Sequence, residues 1–365
     1  MAAENIVPNA YLEARTFNSW VRKFIPLYMR KRWVLNEMKA RGRITRMTGG
    51  KQIEWRPTFK HRKMNPSPVN PTAIGFARQV SERKALLPWR HGDIGESYNL
   101  FDELVEQGEA AFFRNAINST KRLVEDAMET LCDWFYLDGN TAGANWWHGL
   151  ESIFSTSGLV SGSPVGACNG TYAQLSQVLQ YYGGSWTGNW PDGTGDPQYC
   201  AWTSIVTDWA NESFGTGTNL WKDNWQQAIN YTLTFQEILA REKPDVLLMA
   251  PDLHRQVKDS LAQYFNIELT NGASSVDVLK DAKPSGVQIQ SEYGIPAQTC
   301  YGLCFDGLEI QYLNKAGSPD QLLFQDEDKD ISASQRLIAI QTFSNMVVLK
   351  PGSQSKICAI TTPGT

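Results

Sequence analysis

The sequence predicts an α+β chain organised around one long helix, with a basic arm and a long β-hairpin ahead of it. Three observations carry this. Between Asn99 and Tyr136 apolar residues recur at helical spacing on an otherwise charged stretch. Residues 51–90 read as two strands around a proline-rich tip. Beyond residue 150, patterns of buried strand and amphipathic helix follow one another, and the chain closes on a strand.

In the helix, Phe101, Leu104, Val105, Phe112, Ala116, Leu123, Ala127, Leu131 and Trp134 or Phe135 fall on one side. Glu103, Glu106, Glu109, Arg114, Lys121, Arg122, Glu125, Glu129 and Asp133 fill the other. Asn99 is placed as N-cap, with Asp102 three residues on, and Gly139 as the left-handed C′ glycine. At about 1.5 Å per residue such a rod would be roughly 55–60 Å long. Gly108 offers an alternative in which the first turns form a separate short helix.

With 365 residues, 42% hydrophobic, the chain suffices for one large or two medium globular domains. No apolar run approaches the ~20 residues of a membrane span. The opening MAAENIVPNAYLEARTF reads as lacking a secretory signal. Six scattered cysteines suggest a reducing compartment, and the Asn-x-Thr tripeptides at Asn169 and Asn230 are read as chance matches. Charge is strongly asymmetric: residues 1–90 hold 19 Lys and Arg against 5 Asp and Glu, a net of +14, and the remainder holds 15 against 33, a net of −18. The first quarter is thus expected to meet something negative, either nucleic acid or the acidic body of a neighbouring copy.

Taken in order, residues 1–50 carry the cluster VRKFIPLYMRKRWVLNEMKARGRITR, with a short helix expected from Leu27 to Met38. It reads as a nucleic-acid-binding helix or as a solvated, subunit-bridging arm. Gln52–Arg56, leading to Phe59, is the first hairpin strand; Pro66, Pro68 and Pro71 mark the tip; the second strand begins near Ile74-Gly75-Phe76 and runs past Val80. Ordering a residue costs about 1–2 kcal/mol of backbone entropy. These ninety residues have little apolar surface to offset that, so they are expected to rest on another subunit. After the Gly-rich LDGNTAGANWWHGL come helices near Tyr172–Tyr181 and Trp225–Arg241. A buried strand follows at Asp245–Met249, then a helix PDLHRQVKDSLAQYF with Leu253, Val257 and Leu261 on one face. Leu303–Tyr312, an acidic loop Asp326–Asp330 and a strand from Ile338 to Leu349, stopped by Pro351, complete the chain.

Motifs for chemistry are weak. Zinc would need four ligands, and Cys300 and Cys304 are more simply core. None of His61, His91, His148 and His254 lies near a nucleophile motif, and no phosphate-binding glycine loop is present. Eight of thirteen Trp fall between Trp146 and Trp225. Beside them, Asp192 with Asp196, or Asp208 with Glu212, would allow a glycosidase or lectin, the alternative from a different class. No catalytic, cofactor-binding or metal-binding residue is assigned.

The ordered set of arm, hairpin, long helix, Gly-rich loop, mixed domain and returning strand resembles the major capsid proteins of tailed double-stranded DNA bacteriophages. This is the Hong Kong 97 capsid fold, which encapsulin shells also use. The resemblance is carried by CDWFYLDGNTAGANWWHGL, with its glycine at Gly149, by PDVLLMAPDLHRQVKDSLAQYF, and by QTFSNMVVLKP. It implies an N-terminal arm at 1–50, an extended loop at 51–90 and a peripheral domain with the spine helix at 91–148. An axial domain follows at 149–300, and peripheral return strands at 301–365.

It further implies a non-enzymatic, cofactor-free subunit that self-assembles into pentamers and hexamers. Such a shell encloses DNA in the virion after assembly in the bacterial cytoplasm. A separate scaffold protein, a portal, possible cement proteins and non-specifically packaged DNA would be its partners, without a membrane. Arg22, Lys23, Arg30, Lys31, Arg32, Arg41, Arg43, Trp55, Arg56, Lys60, Arg62 and Lys63 are the expected inter-subunit or DNA-facing contacts. Some members cross-link a loop Lys to an Asn; Lys60 or Lys63 with Asn345 are the residue types present here. An encapsulin-type compartment is the alternative within the fold, and a basic-arm DNA-binding protein the alternative outside it.

Overall fold

The computed structural model describes residues 32–58, 82–99, 109–140, 146–154, 164–168, 170–177, 202–214, 220–240, 242–264, 286–313, 322–330 and 335–360. Its elements divide between two compact units. The smaller takes His91–Leu131 and Leu323–Thr342; the larger takes Arg32–Arg90, Cys132–Leu322 and Phe343–Thr365. In chain order the first elements are α1 (Trp33–Ala40), β1 (Ile44–Met47), β2 (Gln52–Trp55), β3 (Ala85–Pro88), β4 (Arg90–Asn99) and α2 (Glu109–Trp134). Next come β5 (Val165–Ala167), β6 (Thr171–Tyr172), β7 (Leu175–Ser176), β8 (Ile205–Asp208), α3 (Trp221–Ala240), β9 (Val246–Met249) and α4 (Pro251–Tyr264). The last are β10 (Gln288–Ser291), β11 (Thr299–Leu303), β12 (Leu308–Leu313), β13 (Phe324–Asp330), β14 (Gln335–Val348) and β15 (Ser355–Cys358).

In the smaller unit β14 is flanked by β4 and by β13, the latter antiparallel from Phe324 opposite Gln341 to Asp330 opposite Gln335. Leu123 and Ala127, four residues apart on α2, bury one helix face against Ile338 and Ile340 of β14, with Ile94 and Leu323 at the margin. The helix has 26 residues, about 39 Å at 1.5 Å each. Asn99 is not its N-cap but the last residue of β4. Gly92, Ile94 and Glu96 alternate inward along that strand, and pairing with β14 outweighs the local capping preference. The division at Gly108 lies outside the described residues. Asp326–Asp330 is strand rather than loop. Its ladder with β14 is complete.

The larger unit is centred on a six-stranded sheet in the order β10-β9-β11-β15-β8-β5. Val246–Met249 is buried along its whole length, as the unbroken apolar run requires of a central strand. Leu253, Val257 and Leu261 of α4, with Trp221, Trp225 and Ile229 of α3, close over Leu247, Met249, Cys300 and Ile357. Pro251 opens α4, where its missing N–H costs nothing. In a second sheet β1 runs parallel to β12, which is antiparallel to residues 343–348 of β14.

Three expectations change here. The basic segment from Arg32 and the hairpin base do not wait for a neighbour: Val34, Leu35, Met38, Ile53, Ala85 and Leu87 are buried within this chain. β2 pairs with β3, Trp55 opposite Ala85, so the first hairpin strand stands where expected. Its partner β3 lies past Val80, and the expected start of that strand near Ile74 is outside the described residues. Residues 171–176 form a two-strand hairpin instead of the start of a helix, because Ala173 and Gln174 take φ of 50° and 63°. Gly139 has no positive φ; the reason for a glycine there is steric, as follows.

Candidate functional site

The end of α2 is tightly constrained within the larger unit. The Leu150 N–H donates to Phe135 O at 2.7 Å, bringing two backbones together. A Cβ on Gly149 would lie 2.6 Å from both N and O of Leu137, so only glycine permits the approach. A Cβ on Gly139 would lie 2.7 Å from His148 Nδ1, while Gly139 N–H donates to Ser152 Oγ at 2.8 Å. His148 N–H donates to Asn345 Oδ1 at 2.9 Å, and Asn345 Nδ2 donates to Pro88 O at 2.9 Å. Asn345 is fully buried. One amide thus joins the loop after α2, β14 and the hairpin base.

Burial and the nearby Arg90 guanidinium push the His148 imidazole down to about 4, with Asp138 acting the other way. Below it, Glu151 accepts from Lys356 Nζ at 2.6 Å and from the Tyr301 hydroxyl. Tyr301 is stacked between Tyr136 and Phe154, and burial raises its hydroxyl well above the usual range, so it stays a donor. Between β3, this loop and the β6–β7 turn lies a cleft of about 800 Å³. Among the described residues no cluster of three His, Cys, Asp or Glu is placed to hold a metal ion. The geometry is that of a clamp: hydrogen bonds and stacked rings fix three segments of chain.

No protein-family model and no curated protein matches this sequence. Solved structures do match. Cyanophage A-1(L) capsid asymmetric unit superposes with a TM-score of 0.59 at 16% identity, covering 99% of this chain and 100% of that one. The capsid of Cyanophage P-SCSP1u gives 0.51 at 9% identity, over 94% and 92%. The mature capsid of bacteriophage PhiM1 gives 0.50 at 11%, over 93% and 91%. The chain has a Hong Kong 97-type capsid fold. At these identities the backbone plan is shared while the side chains are this protein's own.

Within this capsid fold the expected contact residues separate into three groups. Arg22, Lys23, Arg30, Lys31, Lys60, Arg62 and Lys63 lie outside the described residues. Arg56 is exposed. The others are engaged within the chain. Arg32 is 5% exposed, pairs with Asp133 at 2.5 Å and donates to Tyr293 O. Buried Glu292 caps the start of α1 by accepting Val34 N–H at 3.0 Å. Arg41 bonds Glu37 at 2.7 Å and Asp245 at 3.1 Å, with its guanidinium 4.7 Å from the Phe305 ring; Arg43 pairs with Asp306. Trp55 is half-buried beside Tyr172 and Trp202.

For these positions the acidic body met by the basic segment is the chain's own. Asn345, Glu292 and Arg90 escaped the sequence reading as parts of this site: nothing in residue type or spacing marks a long-range polar contact. Glycines at 139 and 149 beside an aromatic helix end were the one legible signal.

Proposed function

We propose that this chain is a structural shell subunit. It self-assembles into pentamers and hexamers that close an icosahedral head around double-stranded DNA. The observation that carries the reading is the match in fold along the whole length of a phage capsid subunit, from one end of each chain to the other. No enzymatic step is needed for this role, and the clamp at the end of α2 suits it, because a shell subunit must keep its shape while buried on many sides.

Because Arg32, Arg41, Arg43 and Trp55 are engaged within the chain, we assign the reaching contacts to basic residues elsewhere in the N-terminal arm and the extended loop. Arg22, Lys23, Arg30, Lys31, Lys60, Arg62 and Lys63 are then the contacts to neighbouring copies or packaged DNA. Phosphate neutralisation needs only Lys and Arg and no sequence readout. A peripheral domain at 91–148 and 301–365 and an axial domain at 149–300 complete the assignment. Scaffold, portal and cement proteins are its expected partners, the virion its destination, and the host cytoplasm its place of assembly.

Expression of the full chain, alone and with the neighbouring genes of its source, followed by negative-stain microscopy tests this. Closed shells that take up DNA are expected. A monodisperse monomer that binds glycans would overturn the reading in favour of the Trp-rich carbohydrate-binding alternative, and shells filled with an enzyme cargo would favour a compartment.

A further inference from the structure

Three irregularities meet in the cleft beside α2. Arg90 Nε is buried without a hydrogen-bond partner, and Arg90 pairs with no carboxylate among the described residues. His148 is 7% exposed, lines the same cleft, and its Nδ1 is likewise unpartnered. The cleft wall at Ala173 and Gln174 is held in left-handed backbone by non-glycine residues, pinned where Leu86 N–H donates to Ala173 O at 3.0 Å. Backbone held in a sparsely populated conformation and buried polar groups without partners are both costly, and such features gather where a ligand completes the structure.

We propose that this cleft is an inter-subunit socket in which Arg90 receives one Asp or Glu side chain from a second copy of this chain. The inference rests on the shell-subunit reading above. The guanidinium presents a planar fork that matches a carboxylate. Glu151 is already met by Lys356, so the lining sets Arg90 against Asp138 and is close to neutral. A polyphosphate backbone finds no accumulated positive field there, whereas a single carboxylate on an otherwise uncharged segment does find its partner. The chain has acidic residues to spare: beyond residue 90 they outnumber basic ones 33 to 15. A volume of about 800 Å³ admits a short piece of a neighbour and not a domain.

The test uses full-length shells. Shells assembled from an equal mixture of isotope-labelled and unlabelled Arg90→Lys chains are treated with a water-soluble carbodiimide, which joins an amine directly to a touching carboxylate. Amide links between position 90 of a labelled chain and an acidic residue of an unlabelled one are the expected result. Arg90→Gln provides a second measurement: the dissociated subunit should unfold no earlier than the wild type, while shell yield falls about tenfold or more. Shells that form normally from Arg90→Gln, or links confined to single chains, overturn the socket. Normal Arg90→Gln shells that retain less DNA would assign Arg90 to phosphate instead, and also overturn it. If the wild-type chain forms no shells, the shell reading falls and the socket with it; if wild-type shells form and position 90 stays unlinked, only the socket falls.

Discussion

Asn345 Oδ1 accepts the backbone N–H of His148 at 2.9 Å, across 197 residues of sequence. The same oxygen accepts Met346 N–H at 2.9 Å and the same side chain holds Pro88 O, so its loss removes the partner of three backbone groups. Asn345→Ala should therefore lower stability by about 2–4 kcal/mol. Asn345→Asp should also cost, since a carboxylate cannot donate to Pro88. Urea unfolding of the dissociated full chain reads both. A change within about 0.5 kcal/mol for the alanine variant would show that the clamp matters little.

Gly149→Ala should fail more severely than Gly139→Ala. At 149 the added methyl meets only backbone, of Trp134 and Leu137, at 2.6 Å or less, which cannot move without breaking the turn; at 139 it meets the His148 ring and its Cα at 2.7–2.9 Å. A loss of about 3 kcal/mol or more, or recovery only in the insoluble fraction, is expected for Gly149→Ala. A soluble Gly149→Ala chain with wild-type melting would contradict the packing described.

Acid should weaken the fold through His148. Its folded value of about 4 lies below the 6.5 of an unfolded histidine. Between these values the unfolded chain binds a proton that the folded chain refuses. The stabilisation is complete above about pH 6.5, falls as pH drops toward 4, and changes no further below that. The difference amounts to about 3 kcal/mol. Comparing urea midpoints at pH 7 and pH 4.5, wild type should lose more than His148→Gln. Equal losses would place the acid sensitivity on other groups.

Arg32 and its neighbours Arg30 and Lys31 should part company on substitution. Arg32→Met leaves Asp133 and Tyr293 O without their partner and should cost about 2–3 kcal/mol of stability. Arg30→Glu with Lys31→Glu should leave unfolding unchanged and reduce closed shells. Deleting residues 1–31 should do the same, whereas deleting 1–45 also removes α1 and part of β1 and should unfold the chain. Intact shells from the shorter deletion would refute the role assigned to the arm.

How much of this was readable in advance depends on where each side chain finds its partner. Leu253, Val257 and Leu261 announce α4, and Val246–Met249 announces β9, because burial writes a period into the residues themselves. Leu123 and Ala127 likewise mark the buried face of α2. The β6–β7 hairpin left no such trace. Its turn is Ala173-Gln174, types that carry no preference for left-handed backbone, and it is held by Tyr172, whose hydroxyl receives Val348 N–H at 2.9 Å from 176 residues away. The run Arg30-Lys31-Arg32 reads as one solvated cluster, yet Arg32 is buried, since charge type alone cannot distinguish water from a carboxylate as the partner. At the candidate site the glycines were visible and the amide that locks them was not.

β14 lends residues 335–342 to the smaller unit and 343–348 to the larger. Neither unit is a continuous stretch of the gene, and no single cut of the polypeptide releases one intact. A recombination event that exchanged half of this protein with a distant relative would leave both halves lacking a strand. Exchange of pieces is therefore expected to disrupt the fold where substitution within loops does not.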